Sequence, residues 1–451
     1  MSTITSAFAE FVSTLRLNAI PAEVRASCRL GVLDTIGAAL AGSDAPGTGA
    51  VLSWCAAAGG AAQSTLIGHG IRLPAESAAM FNGTAASALD YDSYDAGKGY
   101  LHTDIVVIPA ALAVAEAIDA DGARLLEAIV AGTEVATRIA HTIGERKGWY
   151  LTSVLGPLGA AAASAKLMAL PPAQVRHALG IAFAHSAGTH QSIMEQGLTK
   201  RLHAGLAARA GVTAAGLARH GITAPAEVIE GQYGFYRMYQ DGDPDGITDG
   251  LGRQFSLAGK VFKKYPTCAL THAALDAAAA LRRDHGLEAA KIGAVTVRIT
   301  PYMERLVGGP FQPEDNPQVS AQFSLRYCVA SMLIRGKLGF DELETPAVLD
   351  RGVRELADRI DLRTELDGEM EPAIVAVEVA GCGRVTSAPA AMPGTPEHPL
   401  SAEDLERKFR DCTRRGHGTV APARAETFAE RVSALEKQSS VRSLLALLAD
   451  A

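Results

Sequence analysis

Alanine-rich segments with helical spacing fill the first 260 residues, and no clear strand pattern occurs before residue 290. Alanine has the highest helix propensity, and its small side chain lets helices approach closely. Hydrophobic residues make up 48% of the chain, whereas aromatic residues make up only 5%. We therefore expect a large helical part in which the helices lie close together.

Apolar residues at helical spacing, with prolines and glycines near the expected ends, predict individual helices in this region. Pro21 is expected in the first turn of a helix that runs towards Gly42, and Pro109 is expected to open a later helix. The predicted helices cover residues 8–15, 21–42, 110–120, 124–139, 159–170 and 203–220.

Beyond a Gly/Asp-rich loop at residues 240–252, the pattern changes to α+β. Strands are predicted at residues 295–299, 374–379 and 384–387, and helices at residues 320–336 and 347–360. A capping-box-like start at Ser401 then returns the chain to helical character, which continues in the tail at residues 441–448.

These patterns predict a mainly α protein with an α+β lid. A chain of 451 residues is too long for one compact core. The predicted helical domain is built from both chain ends, residues 1–264 and 401–451, and residues 265–400 form the inserted α+β domain, called the lid below. Ligand sites commonly form in clefts between domains.

Charge and composition exclude several classes of function. The net charge is −7, from 42 basic and 49 acidic residues without a basic run, so neither a nucleic acid nor a membrane is an expected partner. The six cysteines contain no CxxC pair, which is typical of free thiols in a reducing compartment. Because no signal-peptide pattern or apolar span is present, we predict a cytoplasmic protein.

The common motifs for nucleotide, metal and serine-hydrolase sites are missing. No GxGxxG follows a predicted strand, and neither GxxxxGK[ST] nor HExxH occurs. The acidic residues Asp90, Asp92 and Asp95 lack the glycine and glutamate of a calcium loop. Residues 184–188 lack the first glycine of GxSxG and lie in a helical pattern.

Four segments carry polar residues in apolar surroundings, at residues 82–113, 148–156, 196–205 and 260–268. The first is a loop between helices, the second and third adjoin helix starts, and the fourth falls at the predicted domain junction. Such positions often carry binding or catalytic residues. Each also has an ordinary interpretation: a solvated acidic loop, a helix cap, a charged turn and a basic linker.

These segments resemble the MmgE/PrpD family, which includes 2-methylcitrate dehydratase, cis-aconitate decarboxylase and iminodisuccinate epimerase. The resemblance is carried, in family order, by NGTAASALDYDSYD, GWYLTSVLGPLG, TKRLHAGLAARAG, FKKYPTCALTHAALDA and AQFSLRYCVASMLIRG. It implies a helical domain with an α+β lid, a cleft between them, a homodimer, and no metal or organic cofactor.

The resemblance also implies site residues, matched by position to the family's motifs. They are Asp90 of D-[FY]-D, His102 of the following histidine motif, Lys200 and His203 of T-K-x-x-H-A-G, Lys263 of K-x-[YF]-P, and Tyr327 of F-S-x-x-Y. The chain departs from the family at two of these blocks. Tyr150 and Leu151 replace a histidine and a proline, and Thr103-Asp104 follows His102 in place of Pro-Gly.

A small anionic polycarboxylate is the expected substrate. Removing a proton next to a carboxylate builds negative charge, which fixed cations in a dry cleft stabilise. A cation at 4 Å contributes about 4 kcal/mol at an effective dielectric near 20. Lys200 and Lys263 are the predicted clamps, with Arg201 or Arg326 as further candidates, and Tyr94 and His203 are predicted substrate contacts.

His102 is the predicted base, since an unperturbed histidine titrates near about pH 6.5. Asp90 is expected to orient or polarise it, and Tyr150 is expected to act on the opposite face, as an acid unless Lys200 lowers its pKa. We predict a dehydratase-like lyase of the 2-methylcitrate type. Epimerisation, decarboxylation and a catalytically silent binding protein remain open alternatives.

Overall fold

The computed structural model describes residues 3–448, apart from the side chain of Ala258. The part before the lid contains the helices α1 (Ile4–Thr14), α2 (Ala22–Ala41), α3 (Thr48–Ala58), α4 (Ala75–Ala88), α5 (Asp104–Ala117), α6 (Gly122–His141), α7 (Leu151–Leu167), α8 (Pro172–Phe183), α9 (Gln191–Met194), α10 (Thr199–Arg219) and α11 (Phe235–Met238). The mainly helical class predicted from the sequence is confirmed.

Two helices begin earlier than predicted, since α5 begins at Asp104 and not near residue 110, and α7 begins at Leu151 and not at residue 159. Pro109 lies inside α5, and Pro157 lies inside α7. A proline inside a helix removes one backbone hydrogen bond and costs about 3 kcal/mol. Nearly every residue of both helices is buried, and we attribute the tolerance to this packing, because burying several aliphatic side chains outweighs one lost bond.

The later part of the chain contains the helices α12 (His272–His285), α13 (Pro301–Val307), α14 (Pro317–Gln322), α15 (Leu325–Arg335), α16 (Thr345–Val348), α17 (Arg351–Asp358), α18 (Ala402–Thr413), α19 (Pro422–Ser433) and α20 (Val441–Leu445). Its strands are β5 (Ile292–Ile299), β6 (Ile360–Thr364), β7 (Ile374–Val379) and β8 (Gly383–Thr386). The capping box at Ser401 is present.

The four strands of the lid form one sheet in the order β6-β5-β7-β8. β6 runs parallel to β5, and the other neighbours are antiparallel. β6 was not predicted from the sequence, because residue 360 was assigned to the end of a predicted helix and the strand is only five residues long. Ile360 and Leu362 do alternate with the polar Asp361 and Arg363, but two apolar residues give too short a period to identify a strand.

Two short ladders precede residue 290, where no strand was predicted. β1 (Ser64–Thr65) pairs with β2 (Arg72–Leu73), and β3 (Tyr94–Asp95) pairs with β4 (Lys260–Val261). Two-residue strands are too short to show a period. The β3–β4 ladder matters for function, because it joins two of the polar segments described above.

The buried hydrophobic residues form two large clusters. One contains residues from Phe8 to Leu257 together with Phe409 to Leu448, and the other contains residues from Tyr265 to Val385. The boundaries at residues 264 and 400 remain predictions. None of the helices described in residues 3–448 combines the length and apolar character needed to cross a membrane.

Glycines let α10 lie very close to its neighbours. A Cβ at Gly205 would clash with the carbonyl oxygen of Met80 in α4, and one at Gly211 would lie 2.5 Å from the backbone nitrogen of Ala161 in α7. This close packing fixes the start of α10, where Lys200 is located.

Candidate active site

The β3–β4 ladder brings two distant polar segments together. Tyr94 is paired with Val261, and Asp95 with Lys260. The loop that follows α4 therefore lies beside the segment that ends in Lys263. Asp90 begins this loop with a φ of +51°, a left-handed conformation that is uncommon outside glycine but accessible to aspartate.

The Asp90 carboxylate bridges two buried ammonium groups. One oxygen accepts a hydrogen bond from Lys200, and the other lies 2.9 Å from Nζ of Lys263. Lys263 also donates to the main-chain oxygen of Asp90 at 2.9 Å. Only 5% of the Lys200 side chain and 1% of the Lys263 side chain is exposed. The three charges therefore interact in surroundings that screen them little.

Mutual stabilisation keeps this cluster ionised. Burial would raise the pKa of Asp90, but the two ammonium groups outweigh it and hold the pKa well below its usual range. Burial likewise opposes the charged forms of Lys200 and Lys263, yet the nearby carboxylates raise both pKa values above the ordinary value. Both lysines are therefore cations at neutral pH.

His102 is held by Asp92 and not by Asp90, which corrects the expected arrangement. Nδ1 of His102 lies 2.6 Å from the Asp92 carboxylate, and the His102 main-chain N–H donates to Thr152 Oγ1 at 3.0 Å. Burial raises the pKa of Asp92, but Lys263 and His102 lower it to about 2. The ionised carboxylate accepts Nδ1–H and leaves Nε2 as the nitrogen available for proton exchange.

Tyr150 is the residue before α7, and its phenol is buried near the same cluster. The ring centroids of Tyr150 and His102 lie 6.5 Å apart. Burial raises the pKa of Tyr150, and the opposing effects of Lys200 and Thr152 do not cancel it. The hydroxyl makes no hydrogen bond of normal geometry. Tyr150 therefore stays protonated at neutral pH and cannot act as a base, although its hydroxyl remains available as a donor.

A cavity between the helical part and the lid, called the central cavity below, has about 670 Å³ of empty space, which includes its opening to solvent. The predicted residues that line it are Asp90, Tyr94, His102, Tyr150, Lys200 and Lys263. Lid residues such as Tyr302 and Phe323 contribute the opposite wall. In the part of the chain that the structure describes, no group of three or more His, Cys, Asp and Glu side chains has a metal-binding arrangement.

The structure does not bring every candidate to this cavity. Arg201 turns away and donates to the oxygen of Pro46 at 2.9 Å and to the Gln318 side chain at 2.8 Å. Tyr327 lies in the core of the lid, where its hydroxyl donates to the oxygen of Glu342. Arg326 binds the main-chain oxygen of Ile360. None of these three residues lines the cavity.

His203 occupies an intermediate position, because it contacts Tyr150 without lining the cavity. The two ring centroids lie 5.5 Å apart, and Nδ1 of His203 is buried without a hydrogen-bond partner. Burial and the charge of Lys200 lower the pKa of His203. His203 is therefore a neutral neighbour of the Tyr150 ring.

Two further Lys–Asp pairs support the loop that follows α4. Lys408 in α18 lies 2.6 Å from Asp34, and Lys260 lies 2.6 Å from Asp104, one of the residues that depart from the family pattern. Both carboxylates hold Ser93: Asp34 accepts its N–H at 3.0 Å, and Asp104 accepts its hydroxyl at 2.7 Å. The loop that carries Asp90 and Asp92 is thus fixed on both sides.

Several residues that the structure brings to the site were not predicted site residues. Asp92 belongs to the same acidic motif as Asp90, so its motif position was a usable signal. Arg146, His190 and Tyr302 line the cavity but lie outside the matched motifs. No sequence signal distinguished them, because only the packing of the lid against the helical part brings them together.

Comparison with known proteins finds two family models that match the chain. The N-terminal domain model of the MmgE/PrpD family matches residues 6–247, and the C-terminal domain model matches residues 265–436. A cis-aconitate decarboxylase of Homo sapiens is 29% identical over 91% of this chain and 88% of that protein.

Two fungal proteins are similar over almost the whole chain. The cis-aconitate decarboxylase-like protein oryM of Aspergillus oryzae is 27% identical over 99% of this chain and 97% of its own length. A cis-aconitate decarboxylase of Aspergillus terreus is 26% identical over 99% and 96%. Since the two family models together cover most of the sequence, the chain belongs to the MmgE/PrpD family.

Proposed function

We propose that this protein is a lyase that acts on a small polycarboxylic acid by changing the bonds at a carbon next to a carboxylate. The observation that carries the proposal is the buried Lys200 ammonium, which Asp90 holds at the wall of the central cavity near His102 and Tyr150. When such a carbon loses a proton or CO₂, negative charge develops on the neighbouring carboxylate. A preorganised cation in a dry cavity stabilises that charge.

The two lysines have different parts in this proposal. An ammonium group has three donors. Lys263 donates its hydrogen bonds to Asp90 and so holds the Asp90 carboxylate in place. Its Nζ also lies 3.6 Å from Oδ1 of Asp92. Lys200 has Asp90 as its hydrogen-bond partner and keeps donors for a ligand. We assign Lys200 to the substrate carboxylate beside the reacting carbon.

His102 and Tyr150 supply the proton transfers. Asp92 fixes the His102 tautomer, so that Nε2 takes or returns a proton. Tyr150, which burial keeps protonated, is assigned the role of the proton donor. General acid–base catalysis needs such a pair within reach of one bound molecule.

Among lyase reactions, we propose decarboxylation of an unsaturated tricarboxylate of the cis-aconitate type, because the relatives described above carry that activity in their names. The bond from the CH₂ group to its carboxylate breaks and releases CO₂. The electron pair forms a terminal double bond, and the former double bond takes a proton at the carbon beside the remaining terminal carboxylate.

Dehydration, the reaction predicted from the sequence, stays a prediction. It needs a base for the C–H and an acid for the leaving hydroxyl, and His102 and Tyr150 meet that requirement. The same two groups would also suit epimerisation, if they face opposite sides of one carbon.

Proton NMR in D₂O separates these reactions. With cis-aconitate, we expect new terminal-alkene signals and one deuterium on the adjacent CH₂ carbon of the product. Loss of water from 2-methylcitrate without decarboxylation would favour the dehydratase. Deuterium exchange of iminodisuccinate without new products would favour an epimerase. No change with any acid, while a ligand still raises the melting temperature, would identify a binding protein and refute the lyase.

Lys200→Ala should lower turnover of the accepted substrate at least about 100-fold, the effect of removing a preorganised charge-stabilising donor. Lys166→Ala is the matched control, because 6% of the Lys166 side chain is exposed against 5% for Lys200, and Lys166 pairs with Glu127 away from the cavity. Both variants are expected to melt earlier. Equal turnover in the two variants would remove Lys200 from the site.

A further inference from the structure

Arg146 is a third cation at the central cavity, and its position is set by aromatic rings. It lies in the connection between α6 and α7. Its guanidinium carbon is 4.6 Å from the ring centre of Tyr100 and 4.4 Å from that of Tyr302, and Nη1 donates to the Tyr302 hydroxyl at 3.2 Å. Only 15% of the side chain is exposed. The guanidinium is therefore fixed in orientation before any ligand arrives.

The guanidinium of Arg146 already forms an ion pair with a carboxylate from the lid. Oε1 of Glu369 lies 2.6 Å from Nη2 of Arg146, and the Tyr100 hydroxyl donates to the same side chain. Unlike the carboxylate of Asp90, which is 4% exposed, the Glu369 side chain is 52% exposed. Glu369 can therefore turn into solvent at little cost, and a ligand carboxylate can replace it.

Arg146 lies at a different end of the cavity from Lys200. A row of ring contacts leads away from His102: its centroid is 5.5 Å from that of Tyr94, and Tyr94 is 6.4 Å from Tyr100, which Arg146 covers. Lys200 is bound to Asp90 and lies over the ring of Phe323 at 5.4 Å. The cavity thus presents one cation near the proton-transfer groups and another beyond the row of rings.

We propose that Arg146 binds a second, distal carboxylate of the substrate in place of Glu369, and that it thereby selects acids with a carboxylate at each end. This inference rests on the proposed function for the nature of the ligand. Arginine suits this task, because its planar guanidinium binds a carboxylate through two parallel hydrogen bonds.

The test compares two unreactive acids that differ by one carboxylate. Tricarballylate is propane-1,2,3-tricarboxylate, and methylsuccinate is the same skeleton without one terminal carboxylate. Calorimetric titration of the whole protein gives the ratio of their dissociation constants. We expect the tricarboxylate to bind about 10- to 100-fold tighter, the range for a hydrogen bond to a charged group. In Arg146→Met the ratio should approach one.

Arg305→Met is the matched control, because Arg305 lies 5.1 Å from the same Tyr302 ring but is exposed and does not line the cavity. It should keep the wild-type ratio. Glu369→Gln removes the competing carboxylate and should tighten tricarballylate binding severalfold, with little effect on methylsuccinate. It also tests the inference if the Arg146 variant fails to fold.

Two outcomes would overturn the inference: an unchanged ratio in Arg146→Met, including the case in which both acids bind more weakly by the same factor, or no preference for tricarballylate in the wild-type protein. Binding and turnover are measured in separate experiments, so that the role of Arg146 and the proposed lyase activity can fail independently. A wild-type protein that prefers tricarballylate but converts no polycarboxylate would refute the proposed lyase and leave the role of Arg146 standing. Turnover with a ratio near one would refute only the role of Arg146.

Discussion

At the scale of single residues, a nearby opposite charge decides which buried ionisable groups stay charged. Asp90, Lys200 and Lys263 stay ionised because each has an opposite charge within contact distance. His272, at the start of α12, is equally buried but lacks a carboxylate partner; its Nε2 lies 3.3 Å from the main-chain oxygen of Thr267. A buried histidine without a counter-charge remains neutral.

His272 predicts a pH dependence of stability. Burial and the charge of Lys263 lower its pKa from 6.5 to about 3. The unfolded chain therefore binds the proton more readily, so the stabilising contribution is complete above pH 6.5 and is lost as the pH falls towards 3. For this residue alone, the free energy of unfolding should fall by about 1.5 kcal/mol between pH 6.5 and pH 5.

Urea unfolding at a series of pH values checks this expectation. His272→Gln should flatten the dependence in this window. His285→Gln is the control, since His285 is at the exposed end of the same helix and should leave the slope unchanged. If the slopes of wild type and His272→Gln coincide, another group dominates the acid sensitivity.

At the scale of elements, the placement of α10 depends on glycines. Gly211 lies against the backbone of α7, whereas a Cβ at Gly216 in the same helix would meet nothing within 4 Å. An added methyl group therefore has opposite consequences at the two positions. At Gly211 it must displace a neighbouring helix, and at Gly216 it only improves helix propensity.

Gly211→Ala should destabilise the protein by about 1–3 kcal/mol, the usual cost of overpacking. Gly216→Ala should stabilise it by about 0.5–1 kcal/mol. Chemical unfolding of both variants measures these changes. Because α10 carries Lys200, turnover should also fall in Gly211→Ala and stay constant in Gly216→Ala. Equal stability of the two variants would contradict the close helix contact.

At the scale of the whole molecule, the site depends on two units with separate cores. Asp90, His102 and Lys200 come from the helical part, whereas Tyr302 and Phe323 come from the lid. Arg146 and Glu369 form an ion pair across the two parts. The cavity is therefore complete only when the lid is packed on the helical part.

The homodimer implied by the family resemblance is a further prediction at this scale. Sedimentation equilibrium should give twice the chain mass of 46.9 kDa, with dissociation only on dilution. The control is the same measurement with tricarballylate bound, which should leave the mass unchanged if the dimer does not form through the cavity. A single-chain mass at micromolar concentration would contradict the prediction.

Local patterns in the chain were enough to identify the helical part, the strands β5 and β7, and the polar loop with Asp90 and His102. These features depend on neighbours within a few residues, so periodicity and motif spacing reveal them. Contacts between distant residues were different. Asp92, and not Asp90, supports His102, while Tyr327 and Arg201 turn into the interior elsewhere.

The tertiary structure alone decided which polar groups meet. Lys200 reaches Asp90 across 110 residues of sequence, and Arg146 meets Tyr302 across 156. Pro109 remains inside α5 because surrounding helices bury it. The physical reason is the same in each case: packing and electrostatic energies depend on distance in space, and a single sequence encodes that distance only through the complete fold.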